Sequence, residues 1–247
     1  MTDAPFKFSN LMTMFKNVYR YAIYFAPQPD SEWWNAGSHW LGRCSNRQLA
    51  LSQTCPELIA PEKFSQLTSA PRRYGWHATM KAPFALRADA SFDQLQDALL
   101  MICTQFKPFR LPKLHVSRLD DFLALTPAGD VTDICKVERA CVTQLHSLSA
   151  PLPPDELLRR RTAGLSLAKD SMLLRWGYPH VLEHFRFHLS LTGPLRDCSE
   201  LQVQSIMQCA RDQFEFLPDC MFDSLAIFAE PERGADFVLL EHCKFSG

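Results

Sequence analysis

The sequence carries almost no surplus of charge. Its 26 basic and 27 acidic residues leave a formal net charge of −1, which argues against a surface that grips long nucleic acid through counterion release. It has no C-x-x-C pair: nine cysteines, an odd number, are scattered from Cys44 to Cys243. That pattern argues against a disulfide framework or a zinc ribbon and fits buried free thiols in a reducing compartment. No stretch approaches the roughly 18 apolar residues of a membrane span. Polar residues interrupt every apolar run of the N-terminal MTDAPFKFSNLMTMFKNVYRYAIYF, so no signal-peptide core is expected there. These absences predict a cytoplasmic protein with neither a membrane nor DNA as partner.

What is present is ordinary globular material, 47% hydrophobic and 21% charged over 247 residues, enough for one large domain or two small lobes. Residues 1–17 read as a poorly ordered extension, and 18–247 as a single bilobal domain. YRYAIYFAP, from Tyr19, reads as a strand. DSEWWNAGSHWLG reads as a helix capped by Asp30 or Ser31 and stopped by Gly42. SFDQLQDALLMICTQF has a helical apolar stripe behind Ser91. FRLPKLHVSRLDDFLALTP reads as two strands about an Asp-Asp turn, followed by a helix from about 131 to 148. Two short helices are expected to meet near Gly164, then a helix over CSELQVQSIMQCARDQF and a last hairpin over FDSLAIFAEPERGADFVLLEHCKF. The class is α+β.

Two stretches carry the chemistry: RRYGWHATMKAPF at 72–84 and FRFHLSLTGPL at 185–195. The first predicts a strand over roughly 74–82 that ends at Pro83, the second a strand over about 184–192. Strand side chains alternate faces. Trp76, Ala78, Met80 and Ala82 then pack inward, leaving His77, Thr79 and Lys81 together on the other face. Likewise Phe185, Phe187, Leu189 and Leu191 pack inward, leaving Arg186, His188, Ser190 and Thr192. Each strand thus offers an imidazole and a hydroxyl beside cationic groups, which suits a phosphate. The order motif strand, helix, hairpin follows both, with a period too long for a solenoid, so the copies read as two lobes facing one another. Two histidines on opposite sides of a phosphorus serve as general acid and base, since imidazole titrates near neutrality. Thr79 and Ser190 supply donors to the non-bridging oxygens. No metal or other cofactor is called for.

The paired H-x-[S/T] motifs, about a hundred residues apart, resemble the 2H phosphoesterase superfamily. With RLDDFLAL and LLRWGYP they are similar to its phosphonate-operon-associated branch of formerly unknown function (DUF1045-like). The resemblance implies a bilobal, pseudo-twofold fold, with two antiparallel sheets facing a central cleft and helices outside. It implies His77 and His188 as catalytic pair, Thr79 and Ser190 as phosphate-binding residues, and a metal-independent cyclic phosphodiesterase acting in phosphonate metabolism. The expected partner is a small phosphate-containing substrate, a cyclic nucleotide or ribose cyclic phosphate, with an RNA end as the alternative.

Lys81, Arg118, Arg186, Tyr74 and Tyr178 are further substrate-binding candidates. Tyr21 and Trp76 read as packing, and Arg159, Arg160 and Arg161 as a wet helix face from which one member reaches the cleft. Two other classes stay open. A non-catalytic module would use the same cleft to hold a nucleotide or sugar phosphate. A zinc hydrolase would use the H-x-x-E-H pattern of His180, Glu183 and His184, although Pro179 and the alternating apolar face beyond it argue for a strand.

Overall fold

The computed structural model describes residues 18–162 and 164–247; the expected extension over 1–17 lies outside them. The described residues form a mixed α/β structure. Its larger sheet runs β11-β10-β1-β4, built from β1 (Arg20–Phe25), β4 (Ala78–Phe84), β10 (Ser224–Glu230) and β11 (Val238–Lys244), with every neighbour antiparallel. A second antiparallel sheet runs β6-β7-β8, from β6 (Leu114–Leu119), β7 (Phe122–Pro127) and β8 (Leu189–Ser190). Two-residue ladders join β2 (Arg43–Cys44) to β3 (Leu49–Ala50) and β5 (Phe109–Arg110) to β9 (Met221–Phe222). No helix among the described residues is long and apolar enough to cross a membrane.

The helices form where their caps predict. Ser31 accepts a hydrogen bond from the Trp34 amide to open α1 (Glu32–Leu41), and Gly42, at φ +75°, ends it. Short α2 (Pro61–Leu67) and α3 (Ser69–Tyr74) follow. Reciprocal capping boxes, Ser91 with Gln94 and Ser199 with Gln202, open α4 (Phe92–Cys103) and α8 (Glu200–Phe214). Between them lie α5 (Thr132–Gln144), α6 (Pro154–Arg161) and α7 (Leu167–Trp176). Pro154 suits the first turn of α6, where its missing N–H has no intrahelical partner to lose. All nine cysteines are free thiols, buried or half-buried.

The repeated order is present: β4, α4, β5 and hairpin β6–β7, then β8, α8, β9 and hairpin β10–β11. The two halves interleave. Hairpin β10–β11 lies, through β1, in the sheet of β4, and hairpin β6–β7 takes up β8. Each sheet therefore contains one motif strand and the hairpin of the other half.

Both motif strands depart from their expected spans. The segment before Gly75 is helical, so β4 begins at Ala78 and runs through Pro83. Proline is tolerated there because β4 is an edge strand. In the second motif only Leu189–Ser190 is paired as strand, after a 3-10 turn at Leu182–His184. A β-bulge changes more. Phe25 faces Ala78 and Tyr24 faces Thr79, but Ile23 faces Lys81. The extra residue in β4 turns Met80 and Lys81 successively to the side of Ile23. The expected sharing of a face by His77, Thr79 and Lys81 is corrected here, because alternation fails at a bulge.

One close approach fixes the start of β4. A Cβ on Gly37 of α1 would lie 2.1 Å from the Trp76 indole. Trp76 is 1% exposed and stacks on Phe214 of α8, with ring centroids 5.2 Å apart, so it has nowhere to retreat. Gly37→Ala should thus lower stability: overpacking costs about 1–3 kcal/mol or more, against a helix-propensity gain of about 1 kcal/mol. Urea denaturation measures the balance. An unchanged or raised midpoint would show that α1 and Trp76 do not need this contact.

Candidate functional site

The two motif histidines are held in the same way. Nδ1 of His77 lies 2.8 Å from the Gly75 carbonyl and Nδ1 of His188 lies 2.7 Å from that of Arg186, each two residues back in the chain. A carbonyl only accepts, so each imidazole donates from Nδ1. Nε2 is left with no hydrogen-bond partner among the described residues. Gly75 makes the first clamp possible: its φ of +81° is open to glycine, and a Cβ there would meet Ser45 Oγ at 2.6 Å.

His77, Thr79, His188 and Ser190 line one cavity of about 440 Å³ between the two sheets. Neither the Thr79 nor the Ser190 hydroxyl has a hydrogen-bond partner among the described residues, so both are free to donate. An adjoining cavity of about 450 Å³ shares Thr79, His188 and Tyr178 and adds Glu138, His180 and Arg186. The floor beside His77 is aromatic: Tyr24 packs its ring 3.9 Å from the imidazole, and Tyr74 lies 6.0 Å away. Phe122 flanks His188 at 5.6 Å.

Burial sets the electrostatics. Desolvation lowers the His77 pKa to about 4, a shift that the Gly75 hydrogen bond opposes and the charge of His188 reinforces. His188 is lowered for the same first reason. Both imidazoles are therefore neutral at neutral pH. Burial pushes Glu138 up to about 7; its carboxylate also accepts from the Leu182 amide at 3.1 Å. Burial raises the phenols of Tyr24 and Tyr178, keeping both as neutral donors.

The remaining candidates divide. Tyr74 and Tyr178 line the histidine cavity. Arg186 is exposed on the rim of the adjoining cavity and serves His188 through its carbonyl. Arg118 does not join them: it is exposed on β6 and pairs with Glu200 at 3.3 Å, which corrects its place as a cleft residue. Lys81, turned away by the bulge, lines a different cavity. Thr192 is buried and accepts from the Leu123 amide at 3.0 Å, a structural role. Tyr21 and Trp76 belong to the core.

Arg159 and Arg160 both reach the histidine cavity, while Arg161 pairs with Asp170 outside it. They are joined there by Arg20, which binds buried Glu230 at 2.6 Å and lies 3.7 Å from Glu156. Glu156 also holds Arg159 at 2.7 Å and Arg160 at 2.9 Å. Sequence reasoning missed Arg20 and Tyr24, although Arg20, Ala22 and Tyr24 show the same two-residue alternation that identified the motifs. The His180–His184 segment forms no α-helix, and among the described residues no three His, Cys, Asp or Glu side chains converge on a metal site.

The model of the family described as "Protein of unknown function (DUF1045)" matches residues 79–238, a span with Thr79, His188 and Ser190 in it and His77 just outside. Two curated proteins are similar to the chain, and both are named ribose 1,5-bisphosphate phosphokinase PhnN. The one from Janthinobacterium sp. (strain Marseille) is 37% identical over 235 residues, covering 94% of this chain and 52% of that protein. The one from Laribacter hongkongensis (strain HLHK9) is 37% identical over 222 residues, covering 89% and 50%. The chain spans about half the length of these relatives. Their name is that of a kinase, which overturns the reading of this chain as a metal-independent phosphoesterase and hydrolase of cyclic phosphodiesters. With the greater part of its length matched by the family model, the chain belongs to the DUF1045 family.

Proposed function

We propose that this chain is an enzyme unit of phosphonate metabolism that binds a ribose phosphate in the cleft between its sheets and moves protons there during phosphoryl transfer. One observation carries the reading: two matched imidazole–hydroxyl pairs, each imidazole clamped through Nδ1 to a carbonyl, line one cavity with unpartnered hydroxyls and arginines around it. The relatives' name supplies the sugar, ribose 1,5-bisphosphate. The sequence has no G-x-x-x-x-G-K-[S/T] loop of the kind that cradles a nucleoside triphosphate, so the reading gives the chain the sugar-phosphate side of such a reaction. Thr79 and Ser190 donate to phosphate oxygens. One Nε2 takes the proton of the attacking oxygen as its bond to the transferred phosphorus forms, while the other, once protonated, steadies the charge on the phosphorus oxygens; the bond that breaks releases the nucleoside diphosphate of a triphosphate donor. The reading includes the finer fold assignment, a single bilobal pseudo-twofold domain of the 2H phosphoesterase type, and a cytoplasmic setting suited to nine free thiols.

Calorimetric titration of the purified chain with ribose 1,5-bisphosphate and ribose 5-phosphate tests this. Binding is expected, and His77→Ala or His188→Ala should each weaken it by about tenfold or more, as loss of a charge-assisted hydrogen bond does. Thr79→Val and Ser190→Ala should cost a few-fold each. Absence of binding by the native chain, or native affinity in both histidine variants, would sink the proposal.

The sign of the pH dependence follows from the lowered histidines. A bound phosphate dianion favours imidazolium, so it raises the His77 pKa from about 4. Binding must then take up protons, and affinity should rise as pH falls from about 8 towards the phosphate's own pKa near about 6. Titrations in two buffers of different ionisation enthalpy read the uptake directly, and it should shrink in His77→Ala. Zero proton uptake near neutrality would rule out this electrostatic account.

A further inference from the structure

We propose that a second oxyanion site lies in the large cavity that adjoins the histidine cavity at β4 and shares Arg20, Glu156, Arg160 and Tyr178 with it, with Lys81, His146 and Trp176 as its donors and a small phosphomonoester or carboxylate as its ligand. This cavity, about 650 Å³, includes none of His77, Thr79, His188 and Ser190 in its lining. Its volume suits a whole small metabolite.

Three polar groups line it without partners. Lys81 is 4% exposed and makes no hydrogen bond or ion pair with any described residue; its ammonium rests 4.9 Å from the Phe84 ring centroid. Nδ1 of His146 and Nε1 of Trp176 are buried and unbonded, on rings packed edge to face at 5.0 Å. Buried polar groups are almost always satisfied in folded proteins. Here three unsatisfied ones share one cavity, and all three are able to donate. A ligand that accepts from an ammonium, an indole N–H and an imidazole N–H is an oxyanion.

The surrounding charges agree. Glu156 faces the cavity but is taken by Arg20, Arg159 and Arg160, and Asp155 is paired with Arg233 at 3.3 Å. Glu138, outside this cavity's lining, interacts with Lys81 through a carboxyl that burial pushes up to about 7. No carboxylate on the cavity wall is left to neutralise the lysine. Burial lowers the Lys81 amine to about 8; an anion would restore it. Leu152, Pro153 and Leu173 supply an apolar wall for the ligand's body.

The bulge explains why this site exists. Had β4 kept strict alternation, Lys81 would have pointed with Thr79 into the histidine cleft. The extra residue turns it to the side of Ile23 instead, so one strand lines two adjoining cavities.

The test uses the full chain with ¹⁵N-labelled indoles in a His77→Ala, His188→Ala background, which keeps the first site out of the measurement. The Trp176 Nε1–H resonance is assigned with Trp176→Phe and followed during titrations with inorganic phosphate and with acetate at constant ionic strength. A saturable shift is expected, strongest with phosphate if the ligand is a phosphomonoester and with acetate if it is a carboxylate. Lys81→Met should weaken that binding by about tenfold or more. If Lys81→Met does not fold, His146→Asn, at a half-buried position, takes its place with a weaker loss expected. Absence of a shift with either anion overturns the proposal, as does unchanged affinity in the variants. Because the motif histidines are absent throughout, either result stands apart from the fate of the ribose-phosphate reading.

Discussion

The contact on which the site depends is the seat of Trp76 against the bare backbone of α1 at Gly37. It lets the helix lie close enough to fix the chain one residue before His77. From the same helix, Trp40 donates its indole N–H to the Leu191 carbonyl at 2.8 Å, one residue beyond Ser190. One helix thus holds both motif segments, the first by the Trp76 side chain and the second by the Leu191 carbonyl, and the two imidazoles inherit their relative position from it. Trp40 and Trp76 both touch Phe214, so α8 locks the arrangement from behind. The precision that the proposed two-sided grip on phosphorus would need comes from packing in the core.

The carbonyl clamps add the chemistry. A histidine that donates from Nδ1 to a fixed carbonyl has its tautomer and ring orientation set before any ligand arrives. Burial then disfavours the positive charge on both rings, lowering His77 to about 4 and His188 in the same direction. On the proposed reading such a site becomes cationic only when an anion has entered. Arg159 and Arg160 of α6 and Arg20 of β1 follow the opposite rule: their guanidinium charge does not depend on a ligand, and Glu156, with Glu230 for Arg20, holds them at the cavity wall.

Much of this was legible in the sequence, for identifiable reasons. Helix caps at Ser31, Ser91 and Ser199 are local signals, and each helix starts where its cap stands. The hairpin at Asp120 was readable from its turn residues, and Asp120 does adopt a positive φ of 53°. Face assignment held from Trp76 to Met80 and failed at Lys81, because a bulge is a property of two strands in register. Arg118 was misplaced because an edge strand's exposed side and its cleft side look alike in sequence. Arg160 is set at the cleft by an i,i+4 ion pair with Glu156, which helical spacing does announce, and by the Gly177 carbonyl, a tertiary contact that no spacing announces. The kinase name of the relatives was not legible at all: the motifs speak of phosphate and protons, and do not name the group that leaves.

The interleaved sheets have a consequence for how the molecule comes into being. β1 finds its partner in β10, so that Arg20 lies opposite Glu230 across almost the whole chain. A nascent chain that has emerged as far as Ser190 already contains every motif residue, yet the strand that separates β1 from β11 has not been made. Until then β1 and the first motif strand are a two-stranded ribbon with an open edge, a form of marginal stability in water. Closure waits for contacts of very high sequence separation, which are the slow ones. A ribosome pausing in the last hairpin would hold a protein with all of its chemistry synthesised and none of it assembled, and the exposed edge of β1 is the surface a chaperone would meet first.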